Sequence, residues 1–516
     1  MVYASGKDKI MSLLESLKRQ TDLVYTEKGA LTHTTTQSNL YDLFALGGAY
    51  RTRSDEDVMN LFAKAYAENS EYAMKCLFYL RDRSKEGQGE RRFFRVAYKW
   101  LIEKDTVTAA MFLDKIPEYG RWDDLIAITH GTRLWSNAIE IIGEQLEEDL
   151  NSYNISRKAP VSLLAKWLPS ENTSSESTRK LAKDIRKALW YDSPKKYRKM
   201  LSKLRGRINI VETLMSQNRW NEIEFDKLPS KAGLKYRKAY ANRAETKDRY
   251  NEFMSNKTTK VNAGTLTPVD VVRAAFEVSG KSITNPERKA VNKYWENLND
   301  YFNGCSFNGI AVVDTSGSML CTYGSNNKAR PIDVAISLGL YCADKAHGPF
   351  HNHFISFSQR PKLQAIGGAD FVASVYSVYA KSIVDTTNIE SVFKLILDTA
   401  VASNLPQNEL PQNIIVISDM EFDMGTYLYG AKRDDKTLME NIRIAYANEG
   451  YVLPHLIYWN VNARNDNIAD SGNNTTFVSG FSPTILESVL KGKTGYDLMM
   501  DKLNSERYAP ITFKFC

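Results

Sequence analysis

The chain has 516 residues, several times the roughly 150 of a typical single domain, with 43% hydrophobic and 25% charged residues; a small stapled scaffold and a disordered chain are both excluded. Lysine and arginine number 68 against 61 aspartates and glutamates, a net of only +7, which says nothing about partners until the charge is located.

The N-terminal MVYASGKDKIMSLLESLKRQ lacks the uncharged apolar core of a signal peptide, and no stretch approaches the ~20 apolar residues of a membrane span. The cysteines (Cys76, Cys305, Cys321, Cys342 and Cys516) are odd in number, scattered, and form no C-x-x-C pair, so they read as reduced thiols and a cytoplasmic location is expected.

From about Tyr41 to Asp300 apolar residues recur at helical spacing, broken at Ser84–Gly89, Tyr119–Gly120 and Pro169–Ser177. DEDVMNLFAKAYAEN, EYAMKCLFYLRDR and ERRFFRVAYKWLIEK each give three to four turns with an apolar stripe, and their short connections favour stacked helical hairpins of HEAT-like character. Residues 1–300 are therefore expected to form a helical domain.

Positive charge concentrates within it. Between Arg179 and Arg207 stand twelve bases against Asp184 and Asp192, and between Lys227 and Arg249 eight against Glu245 and Asp248, windows of +10 and +6 that leave −9 for the remainder. On a helix of ~100° per residue, Arg179, Lys180, Lys183, Arg186 and Lys187 fall opposite Leu181, Ala182, Ile185, Ala188 and Leu189. The next helix repeats the separation, with Lys195, Lys196, Arg198, Lys199 and Lys203 outward and Tyr197, Met200, Leu201 and Leu204 inward. A solvated helical face normally interleaves its bases with glutamates, and these windows do not. Together with Arg205, Lys235, Arg237 and Lys238 they are expected to contact RNA phosphates, an acidic protein or an anionic membrane being the alternatives. Trp190, Tyr197, Tyr236 and Tyr240 stand nearby and either stack on unpaired bases or belong to the core.

After about Cys305 the rhythm changes. GIAVVDTSGS, HFISFS, NIIVISDMEFD and LPHLIYWN are short β-branched or aromatic runs separated by helical stretches such as PIDVAISLGLYCADKA and NIESVFKLILDTAVA, which predicts an α/β domain over residues 301–516 with a parallel sheet and its site at the strand carboxyl ends. There Asp314, Ser316 and Ser318 place a carboxylate and two hydroxyls where they can converge on one point, a hard-oxygen set suited to Mg²⁺. Glu421 and Asp423 follow Asp419 and are expected in a solvated loop, a supporting role at the metal being the alternative. His347, His351 and His353 read as strand-edge structure rather than metal ligands.

AVVDTSGSM resembles the metal-ion-dependent adhesion site of a von Willebrand factor type A domain, a resemblance that covers about 302–516. It implies that Asp314, Ser316 and Ser318 are first-loop ligands, Thr387 (with Thr386 as the less favoured choice) the second-loop threonine and Asp419 the third-loop aspartate. The ion would be Mg²⁺, or another divalent cation such as Mn²⁺ or Ca²⁺, with a position open to an acidic group from a protein partner. A helical half followed by such a domain is also the layout of the Ro-type RNA-binding proteins of the TROVE family. CLFYLRDRSKEGQGERRFFRVAYKWL, PEYGRWDDL, VSLLAKWLPSE, NRWNEIEFDKLPSKAGLKYRKAY and NAGTLTPVDVV are similar to a group of Ro-like proteins. That implies an α + α/β chain, its helical part ring-shaped, acting as a non-catalytic scaffold for structured or misfolded RNA. The alternative is a metal-dependent protein assembly module without RNA; no catalytic residue, Walker loop or dinucleotide fingerprint is present to suggest an enzyme.

Overall fold

The computed structural model describes residues 18, 21–156, 159–208, 210–302, 307–322, 329–345, 348–357, 360–382, 387–423, 437–469, 474–486 and 494–513. His347, Thr386, Cys305 and Cys516 lie outside them.

Near the start of the described residues stands a feature the sequence does not advertise, an antiparallel hairpin of strands β1 (Leu23–Tyr25) and β2 (Leu31–His33), paired Leu23 with His33 and Tyr25 with Leu31. Three-residue strands are too short to show an alternating pattern. Helices follow from Asn39 to Glu296. The three predicted stripes become helices Asp55–Glu68, Ser70–Arg81 and Arg91–Lys104. Local signals set their starts: Ser54 Oγ accepts the Asp57 N–H at 3.0 Å while Asp57 accepts the Ser54 N–H at 3.1 Å, and Asn69 accepts the Tyr72 N–H to start the next helix. No helix among the described residues is long and apolar enough to cross a membrane.

The second half is built on a six-stranded sheet in the order β5-β4-β3-β6-β7-β8, with β3 Gly309–Val313, β4 His353–Ser356, β5 Lys362–Ala365, β6 Asn413–Ser418, β7 His455–Asn460 and β8 Thr475–Ser479. All pairings are parallel except that of β4 with β5, so the expected parallel sheet carries an antiparallel edge strand. Strands β3 and β8 are buried throughout, as expected where helices cover both faces. Helix Pro331–Lys345 packs on β3, β4 and β6. It approaches so closely at Gly339 that a Cβ there would stand 2.4 Å from Val313 Cγ2. His353 enters β4 in the sheet interior, its Nδ1 2.8 Å from the His351 carbonyl oxygen, a structural placement.

The helical half meets the sheet half at both of its ends. Helix Asn39–Leu46 packs on β8, and helix Ser70–Arg81 packs on helix Gly495–Leu503. At the other end helix Pro268–Val278 packs on helices Pro331–Lys345 and Phe371–Lys381. Trp295 stacks on Phe371 with ring centroids 4.0 Å apart, its Nε1 donating to Asp344 at 2.9 Å. Arg288 grips Asp370 with two hydrogen bonds of 2.7 Å, which with the Ala373 N–H and Asn292 holds that carboxyl down at about 2. This clamp ties helix Pro286–Glu296 to the sheet half.

Candidate functional site

Two regions gather chemistry-bearing side chains. The first lies at the carboxyl ends of β3 and β6. Asp314 follows β3 and is fully buried; its Oδ1 accepts the Ser316 N–H at 2.8 Å and its Oδ2 the Ser418 hydroxyl at 2.5 Å. Ser316 Oγ and Ser318 Oγ stand 3.0 Å apart, so the first-loop hydroxyls converge as the spacing predicts. Burial, reinforced by the nearby Asp419 carboxylate, pushes the Asp314 carboxyl up to about 6.

Asp419, also buried, accepts the Glu421 N–H through Oδ1. Its Oδ2 lies 3.3 Å from Arg464 Nε in an ion pair, yet both atoms are buried without a hydrogen-bond partner among the described residues. An orphaned carboxylate oxygen beside a raised carboxyl and two converging hydroxyls is a donor set that fits a divalent cation, since a cation would satisfy the orphan and relieve the like-charge repulsion. No cluster of three or more His, Cys, Asp or Glu is placed to hold a metal among the described residues; this set has two carboxylates and relies on hydroxyls for the rest.

Thr387 is fully buried just before helix Ile389–Ala402, and its carbonyl accepts the Asp423 N–H at 3.1 Å. Its hydroxyl accepts from the Lys28 ammonium, which also pairs with Asp423 at 3.7 Å. The β1–β2 hairpin thus reaches the same face as the candidate ligands. The expectation of a solvated loop for Glu421 and Asp423 is corrected here. Glu421 is fully buried and accepts the Glu27 N–H at 2.9 Å and the Asn465 and Asn467 side-chain amides at 2.8 and 2.9 Å, while Asp423 bridges to Gly29. Met420, held at φ 65°, turns the chain sharply between Asp419 and Glu421. Hairpin and Asn465–Asn467 contacts come from sites far away in sequence, so no local signal could have disclosed them. Cys321 is exposed nearby, with Asn462 Nδ2 3.5 Å from its sulfur, whereas Cys76 and Cys342 are buried free thiols.

The second region is cationic. Helices Glu176–Ala188 and Pro194–Ile208 present Lys180, Lys183, Lys187, Lys195 and Lys199 to solvent, and Lys235 and Lys238 are exposed farther on. Arg179 donates to the Thr173 and Ser174 carbonyls, Lys196 pairs with Asp192, Arg198 donates to Asn172, and Lys203 lies over the Tyr153 ring. Three cations expected to contact RNA phosphates are turned inward. Arg186 is buried against Glu171 and the Tyr191 carbonyl, Arg237 against Glu277 and the Leu234 carbonyl, and Arg205 donates to the Ala165 and Leu168 carbonyls. The guanidinium fork suits it to capping several carbonyls, which is why Arg186, placed outward by periodicity, turns in where the lysines of its helix do not. Of the aromatics, Tyr197 and Tyr240 are core, Tyr236 is half-buried, and Trp190 is 92% exposed at φ 59°, between the two basic helices.

Inside lies a cavity of about 1280 Å³ whose wall draws on the helical half from Arg51 to Arg273 and on Tyr301, Ala329, Phe481 and Ser482. Eleven Lys or Arg line it against five Asp or Glu, with Trp122 and Trp167 among them. Arg83, Lys85, Arg121, Lys166, Lys235 and Arg273 have no carboxylate within ion-pairing distance among the described residues. Burial and the neighbouring Arg91, Arg81 and Arg83 charges lower the Arg121 guanidinium from its ordinary value, a sign of crowded positive charge. Of the cations expected to contact phosphates only Lys235 reaches this wall; Lys227 and Lys231 come from the same basic window, and the other eight lie outside both windows because the wall is assembled from separate segments.

A family model described as a domain of unknown function (DUF2828) matches residues 26–132 and 132–303, more than half of the chain. The chain belongs to the DUF2828 family. A second model, also a domain of unknown function (DUF7788), matches 308–508 of this DUF2828 chain. An uncharacterized protein of Acanthamoeba polyphaga mimivirus is 27% identical over 92% of this chain and 85% of its own length. Among solved structures, the Ro (RSR) protein of Deinococcus radiodurans matches 91% of this chain and 99% of its own at 14% identity and a TM-score of 0.37.

Proposed function

We propose that this DUF2828 protein is a non-catalytic, cytoplasmic scaffold for structured or misfolded RNA, its single-stranded ends entering the cationic cavity and its helical parts lying on the exposed lysine face. The observation that carries the reading is the cavity wall, with eleven cations against five acids and two tryptophans at hand for stacking. An acidic protein segment would offer the charges but not the planar bases that tryptophan and arginine faces stack upon. In this reading the helical half, touching the sheet half at both ends, closes a ring around the cavity.

The α/β half contributes a metal centre of von Willebrand A type: Asp314, Ser316, Ser318, Thr387 and Asp419 hold Mg²⁺, Mn²⁺ or Ca²⁺. When bound, the ion supplies an electrophilic position for a partner's carboxylate. The second reading, a protein assembly module that works through this site without RNA, draws its support from the orphaned Asp419 oxygen.

The test is to purify the full chain under native conditions and sequence any RNA that accompanies it, then measure affinity for that RNA between about 50 and 200 mM salt. RNA that co-purifies and dissociates steeply with salt supports the scaffold, with log affinity falling against log salt at about 0.7 per single-strand phosphate contact. A protein free of RNA and indifferent to salt overturns it and favours the assembly module.

A further inference from the structure

The face at the carboxyl ends of β6 and β7 is already covered by this chain's own N-terminal hairpin. Thr26 Oγ donates to the Phe422 carbonyl at 2.7 Å, the Glu27 N–H to Glu421 at 2.9 Å, and Gly29 bridges to Asp423. Farther along, Thr32 Oγ donates to the Ile468 carbonyl at 2.7 Å, and His33 and Ile468 exchange backbone hydrogen bonds of 3.1 and 2.7 Å. The tip residues carry opposite charges into opposite partners. Glu27 is held by Arg464 at 2.6 Å and Asn465 at 3.1 Å, while Lys28 lies against Thr387 and Asp423. Thr26, Ala30, Thr32 and His33 are buried by this docking, so the hairpin is a packed component of the face and not a passing strand.

The arrangement sets two cations against one set of oxygens. Thr387, Asp419 and the first-loop hydroxyls are the donors a divalent ion would take, yet the Thr387 hydroxyl already accepts from the Lys28 ammonium. A hydroxyl oxygen has a second lone pair, but an ammonium and a divalent cation on one oxygen stand within a few ångströms and repel. Arg464, the second cation of the face, is anchored by Glu27 and points at Asp419. Hairpin docking therefore delivers Lys28 directly and fixes Arg464 through Glu27.

We infer that the β1–β2 hairpin is the resident ligand of this face and that Lys28 competes with the divalent cation at Thr387, so that metal binding and hairpin docking oppose each other. The inference rests on the metal reading of the site and adds its occupant in cis. Because coupling between two sites is reciprocal, a residue that weakens metal binding must itself be loosened by metal.

The experiment uses the full-length chain stripped of divalent ions and titrated with Mn²⁺, free ion being read by electron paramagnetic resonance. Lys28→Met is expected to bind Mn²⁺ about fivefold tighter or more than the wild type, the size of a partly screened like-charge contact, and Lys28→Arg to match the wild type. Asp314→Asn marks binding at this site by abolishing it in every background. A second measurement needs no Lys28 variant: saturating Mg²⁺ should speed hydrogen exchange at the Glu27 amide in the wild type and leave it unchanged in Asp314→Asn. Equal or weaker Mn²⁺ binding by Lys28→Met, or a Glu27 amide unmoved by Mg²⁺, overturns the competition while leaving the metal site standing. Absence of Mn²⁺ binding at millimolar concentration in both wild type and Lys28→Met overturns the metal reading itself and the inference with it.

Discussion

The helical half and the α/β half handle charge in opposite ways. On the outer basic helices the lysines stand in solvent with little carboxylate to meet them, whereas at the strand ends of the sheet the carboxylates are buried and the chain brings Lys28 and Arg464 to them from a distance. An exposed cation face is inexpensive to maintain because water and counterions screen it, and it gains energy only when a polyanion displaces those counterions. Buried anions are costly wherever they stand, so they are either neutralised internally or held for a cation. On the proposed function the first pattern suits a long flexible polyanion and the second one small cation.

The largest effect expected breaks the first side of this contrast. Replacing Lys183, Lys187, Lys195 and Lys199 together with alanine removes exposed charges that carry little of the fold, so thermal stability should be unchanged. RNA affinity, measured by filter binding, should fall by about two orders of magnitude and the salt slope should flatten by about 0.7 for each lost contact. Arg186→Ala serves as the contrast. Its guanidinium holds Glu171 and the Tyr191 carbonyl, so its loss should lower the melting temperature.

Next comes the second side. Asp314→Asn keeps the shape of the first loop and removes the buried charge; divalent-ion affinity should drop by about a hundredfold or more in a calorimetric titration, at least the loss seen when supporting residues of metal sites are altered. RNA binding through the helical half should be unaffected. Loss of both activities in this variant would show that the two halves act as one site.

How much of this contrast the sequence discloses depends on how far apart its parts lie. The candidate metal loop is written in five consecutive residues, because a strand end and a tight turn bring Asp314, Ser316 and Ser318 together with no help from elsewhere. The basic helices are legible for the same reason, periodicity being local. The environment of Glu421 is not, since its burial is created by Glu27, Asn465 and Asn467, and the hairpin that supplies Glu27 has strands of only three residues. The cavity is the extreme case. Lys227, Lys231 and Lys235 fall in the second basic window, but the cavity's other cations, Arg51, Arg81–Arg91, Arg121, Lys166 and Arg273, lie outside both windows.

Within the α/β half, two carboxyls differ in the sign of their pH dependence. Asp370, held down to about 2 by Arg288, contributes stability that is present above the unfolded value near 4 and lost as pH falls through about 2. That stabilisation is about 2 kcal/mol, and Arg288→Ala should remove the larger part of it, the Ala373 N–H and Asn292 keeping the rest, and flatten the acid limb of a melting-temperature profile. Asp314, pushed up to about 6, behaves in the opposite sense. With divalent ions stripped its contribution is full below about pH 4 and is lost as pH rises through 6, so the melting temperature should decline across that window. Asp314→Asn should level the decline, as should saturating Mg²⁺. A profile in which neither variant changes its own limb would mean that these carboxyls do not set the pH dependence of stability.

The smallest effect separates single strands from duplexes on the basic face. Trp190 stands between the two basic helices, almost wholly in solvent and in a backbone conformation that a non-glycine residue adopts at a cost. On the proposed RNA reading an exposed indole held this way suits a stacking platform, since a flat ring that lies between Lys187 and Lys195 in the chain can receive an unpaired base while exposed ammoniums of the basic helices meet phosphates. Trp190→Ala should weaken binding of a single-stranded oligonucleotide about tenfold, within the ~1–3 kcal/mol of one base–aromatic contact, and leave the salt slope unchanged because no charge is lost. Trp190→Phe should recover part of the affinity, and a perfectly paired duplex should bind all three proteins alike. Equal loss for duplex and single strand would assign the residue to the shape of the basic face and leave base stacking to the tryptophans of the cavity.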